Sequence, residues 1–193
     1  MYRYGLRHPV WLETLITCFL LFLVVVSVLL VLIAAFAPRG EDGASELWGH
    51  ELRIVTTDSM EECDETDVSA FDIKSIPSNS MIFVEKTPED EALAHEWYAG
   101  LKVGDVLTVR YTYVHQMTIT HRITSIEEKE DGGYIIKLAG DNKASDETTL
   151  YQTIDTSDKT STNYVIGRVK GQSRFLGSII GPLQKFVVFA VDE

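Results

Sequence analysis

The stretch DVLTVRYTYVHQMTITHRITSI, residues 105–126, decides the fold class. Threonine, valine, isoleucine and tyrosine dominate it, and β-branched and aromatic residues of this kind are typical of strands. It divides into two predicted strands, Asp105–Val114 and Met117–Ile126, which are close enough in the chain to pair. The stretch therefore predicts an antiparallel strand pair within a mainly β domain.

Further short strands are predicted on both sides of this pair. They are Leu52–Thr57, Met81–Glu85, Tyr134–Ala139 and Tyr164–Val169. One helix is predicted among them, with Thr87 as its N-cap, Pro88 at its first position and Gly100 at its end. Asp131-Gly132-Gly133 is a turn signal. Many short strands with one small helical insertion predict a partly open β-barrel or sandwich.

The N-terminal region contains an apolar run that predicts a membrane helix. Thr14–Phe36 has no charged residue, and at about 1.5 Å per residue it is long enough for a ~30 Å hydrocarbon core. A cleavable signal sequence has an apolar core of only about 7–15 residues, so a retained anchor is predicted. Because Arg3 and Arg7 precede the run, the positive-inside rule places the N-terminus in the cytoplasm.

These features predict five consecutive regions. They are a cytoplasmic N-terminus (1–13), a single membrane helix (14–36), a tether (37–51), an extracytoplasmic domain (52–177) and an apolar C-terminal segment (178–193). The apolar character begins at Phe175, but Gly181, Pro182 and Lys185 interrupt it. That segment is therefore expected to dock at the membrane interface or to begin a second span.

Composition excludes several classes of function. The formal charge of −12 lies in the part of the chain beyond the apolar run, whereas nucleic-acid binding needs a basic face. Cys18 lies in the membrane run and Cys63 outside it, so no disulfide framework is predicted. The sequence has no convincing metal-binding pattern, and no cofactor is predicted.

Four polar segments contain the residue types that a serine hydrolase needs. Serine requires a base to accept its proton, and an unperturbed histidine, with a pKa near ~6.5, can do so at extracellular pH. A carboxylate beside the histidine fixes its tautomer, and backbone N–H groups bind the oxyanion. The four segments are Thr57-Asp58-Ser59-Met60, Thr120-His121-Arg122-Ile123, Gly140-Asp141-Asn142 and Ser145-Asp146. Taken one at a time, segments of this kind are common in β proteins.

Their order along the chain resembles the conserved boxes of the type I signal peptidase family. Between the first two segments lies a Val103-Gly104-Asp105 turn before an apolar strand, and Val165-Ile166-Gly167-Arg168-Val169 follows the last. The resemblance covers roughly residues 53–177. Histidine at the base position is similar to the branch that contains the eukaryotic endoplasmic reticulum enzyme, archaeal signal peptidases and the W-type enzymes of Gram-positive bacteria.

The resemblance implies a role for each matched residue. Ser59 matches the nucleophile and His121 the general base and acid, while Asp141 and Asp146 both match acidic positions, either of which is a candidate to orient the imidazole. Thr57 matches a hydroxyl that assists at the oxyanion. Met60 is expected in the substrate pocket or in the core.

The segment after Met60 departs from the family pattern. The family usually has Ser-Met-x-Pro and a short link, whereas here Glu61-Glu62-Cys63 follows and about twenty residues precede Met81. Ser80-Met81 is consequently a rival for the nucleophile. Ser59 is preferred because LRIVTTDSM keeps the strand, the hydroxyl residue and the Ser-Met pair together. The Cys63 thiol has no supporting pattern.

The expected function is removal of N-terminal signal peptides from exported preproteins on the outer face of a bacterial plasma membrane. The expected partners are signal peptides with small residues at −1 and −3 and the lipid bilayer, with no nucleic acid and no oligomeric state predicted. A noncatalytic membrane-anchored β module that binds exported proteins is the alternative, and it is expected to hold Ser59 and His121 more than ~5 Å apart. A self-cleaving protease of the repressor fold needs a lysine that the THRI segment lacks.

Overall fold

The computed structural model describes residues 9–36, 45–47, 49–63, 66–112, 116–142 and 151–181, which fall into two compact units. Unit 1 contains α1 (Val10–Phe36), a helix of 27 residues and about 40 Å. It begins four residues before the predicted run. Residues from Trp11 to Val28 are strongly apolar, and none of this window is buried within the protein. The helix is therefore long and apolar enough to cross a membrane.

Unit 2 is built on one antiparallel sheet, which confirms the mainly β, open fold that the sequence predicts. Within the described residues the sheet has eight strands in the order β1-β2-β3-β8-β4-β5-β6-β7. The pair predicted from residues 105–126 lies within it as β4 and β5. The strands are β1 (Ser45–Leu47), β2 (His50–Ile54), β3 (Met81–Lys86), β4 (Val106–Thr112), β5 (Gln116–Glu128), β6 (Tyr134–Ala139), β7 (Gln152–Asp155) and β8 (Tyr164–Ser173).

Apolar side chains cover both faces of this sheet. Val106 and Leu107 are neighbours on β4, yet they belong to separate core clusters because successive strand residues point to opposite faces. Leu107 packs with Ile123 and Leu138, whereas Val106 packs with Val84. Burial on both faces explains why β4 reads as an almost continuous run of β-branched and aliphatic residues.

The long acidic segment of residues 58–80, called the acidic excursion below, packs on the second of these clusters. Met60 and Ile76 are fully buried in it, and Ile73 packs against its edge. The backbone N–H of Ile76 donates to the carbonyl oxygen of Met60 at 2.8 Å, which closes the base of the excursion. The excursion therefore forms part of the core of the domain, despite its irregular sequence.

Two strands were not predicted from the sequence, several predicted strands end a few residues away from their predicted bounds, and the helix starts later than predicted. β1 lies in the predicted tether and β7 in a segment for which no strand was predicted. The helix, α2 (Glu91–Ala99), has Asp90 rather than Thr87 as its N-cap, because the Asp90 carboxylate accepts from two N–H groups of the first turn. Thr87 instead follows directly after β3, and its backbone N–H donates to the carbonyl oxygen of Ile166 on β8. The predicted end at Gly100 is confirmed.

A lysine-centred network fixes the end of β7 against the β5–β6 turn. Lys129 Nζ donates to both carboxylate oxygens of Asp155, at 2.9 and 3.1 Å, and also bonds the hydroxyl of Ser157. The bond from Lys129 is the main reason that the pKa of Asp155 lies below its usual value. The predicted turn is confirmed beside this network, where Gly132 has a φ of 79°.

The last described segment, residues 174–181, is helical. At Gly177 a Cβ would clash with the backbone from Asn79 to Met81, so this helix lies directly on the loop before β3. Phe175 and Ile179 are exposed. Most of the predicted apolar C-terminal segment, residues 182–193, lies outside the described residues, and the five predicted regions stay predictions.

Candidate active site

Ser59 lies in a turn five residues after β2 ends, at the start of the acidic excursion. Its Oγ is 3.2 Å from Thr57 Oγ1 and 3.3 Å from His121 Nε2. The structure thus brings together the serine, the histidine and the threonine that the sequence nominates. The Ser59–His121 separation is slightly longer than an ideal nucleophile–base hydrogen bond, as is common in substrate-free hydrolases.

The backbone around Ser59 is held on two sides. The backbone N–H of Asn142 donates to the carbonyl oxygen of Ser59 at 3.0 Å, and its side-chain amide donates to the carbonyl of Asp58 at 3.3 Å. On the other side, the buried Met60 side chain packs in the core. Met60 is therefore a core residue that fixes the turn, which is one of its two predicted roles.

His121 lies on β5 directly opposite Leu107 of β4, and only 7% of its surface is exposed. Its Nδ1 is 2.7 Å from Oε1 of Gln152, the first residue of β7. Sequence reasoning missed Gln152, because the strand that carries it was not predicted. A glutamine also matches none of the residue types expected for a catalytic triad.

Asp141 is engaged with Arg122. Its two carboxylate oxygens accept from Nε and Nη2 of Arg122, at 2.9 and 2.7 Å, in a buried bidentate ion pair. Successive residues of β5 point to opposite faces, so Arg122 and His121 lie on different sides of the sheet. Asp146, the other predicted carboxylate, lies outside the described residues and stays a prediction.

Two further contacts complete the surroundings of Arg122. Its Nη1 donates to the carbonyl oxygen of Gly104 at 2.7 Å, and its guanidinium lies over the ring of Phe71, 4.7 Å from the centroid. Gly104 has a φ of 98°, and a Cβ there would clash with Phe71. The buried guanidinium of Arg122 therefore contacts three segments: the Val-Gly-Asp turn, the GDN segment and the acidic excursion.

The rival nucleophile is in a different setting. Ser80 is fully buried, and its Oγ has no hydrogen-bond partner, while its carbonyl oxygen accepts from the N–H of Val55. Cys63 lies near the site, with its Sγ 3.7 Å from the carbonyl oxygen of Asp141. Among these candidates, Ser59 has its Oγ 3.3 Å from His121 Nε2.

Gly140 lies against both members of the Ser59–His121 pair. A Cβ on this residue would stand 2.6 Å from the carbonyl oxygen of Ser59 and 3.4 Å from His121 Nε2. The first distance is too short for real atoms, so a side chain here would force the Ser59 turn and the GDN segment apart.

We expect Gly140→Ala to slow any reaction of Ser59 that uses His121 as its base by about 100-fold, because displacing a reacting group by about 1 Å costs this much. Gly171→Ala is the matched control, since a Cβ there meets only Phe83, at an ordinary 3.8 Å. The reaction rates of the two variants would be measured together with their thermal stability. A wild-type rate in Gly140→Ala would contradict the tight approach at this glycine.

The arrangement is suited to nucleophilic chemistry. The described part of the chain has no group of three or more histidine, cysteine, aspartate or glutamate residues that could hold a metal ion. A hydroxyl beside an imidazole nitrogen, with a second hydroxyl and a backbone N–H close by, is a set of groups that can activate a nucleophile and bind an oxyanion.

No protein-family model matches the chain. It is 37% identical over 78 residues to the signal peptidase complex catalytic subunit sec11 of Dictyostelium discoideum, and this match covers 40% of each protein. The chain thus spans less than half the length of that curated relative. This partial homology to a signal peptidase catalytic subunit confirms the resemblance to type I signal peptidases that the ordered segments predict.

Proposed function

We propose that the chain is a membrane-bound serine endopeptidase of the signal peptidase type, which removes N-terminal signal peptides from exported preproteins. The observation that carries this proposal is the 3.3 Å approach of His121 Nε2 to Ser59 Oγ, between residues 62 positions apart. The homology to a signal peptidase catalytic subunit supports the same class of substrate. The apolar helix α1 supports membrane attachment.

In the proposed reaction, Ser59 Oγ attacks the carbonyl carbon of the scissile peptide bond while His121 Nε2 takes the hydroxyl proton. The negative charge that develops on the carbonyl oxygen is bound by the backbone N–H of Ser59 and the Thr57 hydroxyl. His121 then passes its proton to the leaving amine, the C–N bond breaks, and an ester on Ser59 remains. Water, deprotonated by His121, hydrolyses the ester and releases the signal peptide.

A carboxylate that stabilises the charged imidazole is assigned to Asp146 in this proposal. Both aspartates match the family positions, but the oxygens of Asp141 are already bonded to Arg122. This engagement favours Asp146 as the acid that stabilises the charged ring. No cofactor takes part in the proposed reaction.

The same proposal places the protein in a membrane with the N-terminus in the cytoplasm and the site on the outer side. Arg3 and Arg7 before α1 support this orientation. A bacterial plasma membrane is the location that the sequence predicts. The alternative of a noncatalytic module is disfavoured by the Ser59–His121 distance, since it expects these side chains more than ~5 Å apart.

The proposal is tested by incubating the detergent-solubilised protein with a preprotein that has alanine at −1 and −3. We expect a mature N-terminus at that site, by mass spectrometry, and loss of cleavage when −1 is changed to a bulky residue. His121→Ala should lower the rate by about 10²–10⁴-fold, because it removes the general base. His95→Ala is the control, since His95 is exposed on α2. A fully active His121→Ala protein would exclude the mechanism.

A further inference from the structure

The contact between His121 and Gln152 has no counterpart among the residues that the sequence motifs nominate. Gln152 Oε1 lies 2.7 Å from His121 Nδ1, a short distance for a nitrogen–oxygen hydrogen bond. It lies on the side of the imidazole opposite the nitrogen that faces Ser59. The two ring nitrogens therefore contact two different elements, the Ser59 turn and β7.

The sheet explains how Gln152 reaches the ring. Leu138 of β6 pairs with both Ile123 of β5 and Gln152 of β7, so these three residues lie in one row across the sheet. His121 is two residues before Ile123 and therefore faces the same side. Gly140 is the first residue of the loop after β6, and it lies close to the His121 ring. Because it has no side chain, it leaves room beside His121.

The chemistry of the amide oxygen sets the tautomer of the histidine. Oε1 has no proton to give, so Nδ1 must carry the proton of the bond between them. In the neutral ring the other nitrogen, Nε2, then carries no proton, and it can accept the proton of the Ser59 hydroxyl, whose Oγ is 3.3 Å away. This is the state that a general base needs before the reaction begins.

We propose that Gln152 is a positioning residue that holds His121 as the Nδ1–H tautomer, with Nε2 directed at Ser59. The inference rests on the proposed function only for its kinetic consequences, because the tautomer is a property of the folded protein. Gln152 is neutral, so it orients the ring without adding a negative charge. The role is separate from that of Asp146, which supplies the charge in the proposed reaction.

The groups around His121 determine what a change at Gln152 does to its pKa. Leu107, opposite His121 on β4, is apolar, and the Ser59 turn carries Asp58, which is exposed. From the loop after β6 comes Asp141, which Arg122 neutralises. A carboxylate introduced at position 152 would therefore act on the ring at short range and raise the pKa of His121.

The first test reads the tautomer without any substrate. Full-length protein with ¹⁵N-labelled histidine is studied in detergent micelles by long-range ¹H–¹⁵N spectra at a pH where the ring is neutral, and His121→Ala assigns the signal. We expect a protonated Nδ1 in the wild type and in Thr153→Ala, a matched change at the next position of β7. Gln152→Leu should shift the ring toward the Nε2–H form. A wild-type ring protonated at Nε2, or an unchanged ring in Gln152→Leu, overturns the inference.

The second test reads preprotein cleavage. We expect Gln152→Leu to lower kcat by about 10- to 100-fold with little change in KM, the effect of losing one partly buried hydrogen bond to a ring that becomes charged during the reaction. Gln152→Glu should restore much of the rate, and the acid limb of its pH profile should move to higher pH. A Gln152→Leu protein with wild-type kcat, alongside an inactive Asp146→Asn protein, would assign orientation to Asp146 alone and overturn the role of Gln152.

The two tests separate the two proposals. If every variant and the wild type lack cleavage while the tautomer responds to Gln152→Leu as expected, the proposed function fails and the positioning role stands. If the wild type cleaves preprotein but the tautomer and kcat ignore position 152, the positioning role fails and the proposed function stands.

Discussion

Ser59→Ala is expected to abolish the proposed signal peptide cleavage, with a fall in kcat of at least about 10³-fold. The substitution removes the atom that forms the acyl-enzyme, and what remains is oxyanion binding and substrate positioning. The wild-type reaction should also give a covalent adduct on the peptide that contains Ser59, detectable by mass spectrometry after rapid acid quench. Neither result depends on a change in stability, because Ser59 is on a half-buried turn outside the core clusters.

Ser80→Ala is the matched control for this experiment. It removes the same atom from the rival Ser-Met pair, but from a buried hydroxyl that has no hydrogen-bond partner. Removing such a hydroxyl is close to neutral for stability, so cleavage and thermal unfolding should both match the wild type. An active Ser59→Ala protein together with an inactive Ser80→Ala protein would reverse the assignment of the nucleophile.

The parts of the fold that the sequence predicts are those in which local pattern and tertiary burial agree. Tyr134–Ala139 has the predicted bounds, because a glycine turn precedes it and a polar loop follows it. Residues 105–126 were predicted as two strands because β-branched residues persist through both. In the sheet, the buried faces of these two strands also require β-branched and aliphatic residues. The local sequence signal and the packing therefore both favour strands.

The errors arise where local signals are weak or compete. Thr87 and Pro88 are a good helix start by composition, but Asp90 caps the first turn and Thr87 is used by the sheet, through its bond to Ile166. β7 has only four residues, and pairing with β6 rather than residue propensity makes it a strand. The register of β7 is what places Gln152 beside His121.

In the candidate site too, some features could be predicted from the sequence and others could not. Ser59 and His121 were predicted from ordered motifs, and their approach in space follows from the way β2 and β5 place them. The partner of Asp141 was not predictable, because a Gly-Asp-Asn turn matches a triad acid and an ion-pair partner equally well. The pairing of β5 with β6 places Arg122 opposite Ala139, the last residue of β6. Asp141 is in the loop that follows, so this pairing, which the sequence does not give, brings it close to Arg122.

The buried pair of Arg122 and Asp141 is expected to produce the largest stability effect in the domain. Arg122→Met leaves a carboxylate buried without its partner, and Asp141→Leu leaves a guanidinium in the same state, so each single variant should lose about 3–5 kcal/mol of unfolding free energy. The double variant Arg122→Met/Asp141→Leu removes both charges, and most of the loss should be recovered. Urea unfolding of the full chain in detergent would measure all three.

Cleavage by the folded double variant then identifies what Asp141 does. If its carboxylate acts only by holding Arg122, which ties together Gly104, Phe71 and the loop beside Ser59, the double variant should cleave preprotein within about tenfold of the wild type, as for a repacked structural pair. If Asp141 stabilises the charged His121, cleavage should instead fall by about 10⁴-fold, as expected for loss of a triad carboxylate, despite recovered stability. We expect the first result, because both oxygens of Asp141 are bonded to Arg122. A stable but inactive double variant would return Asp141 to the catalytic set.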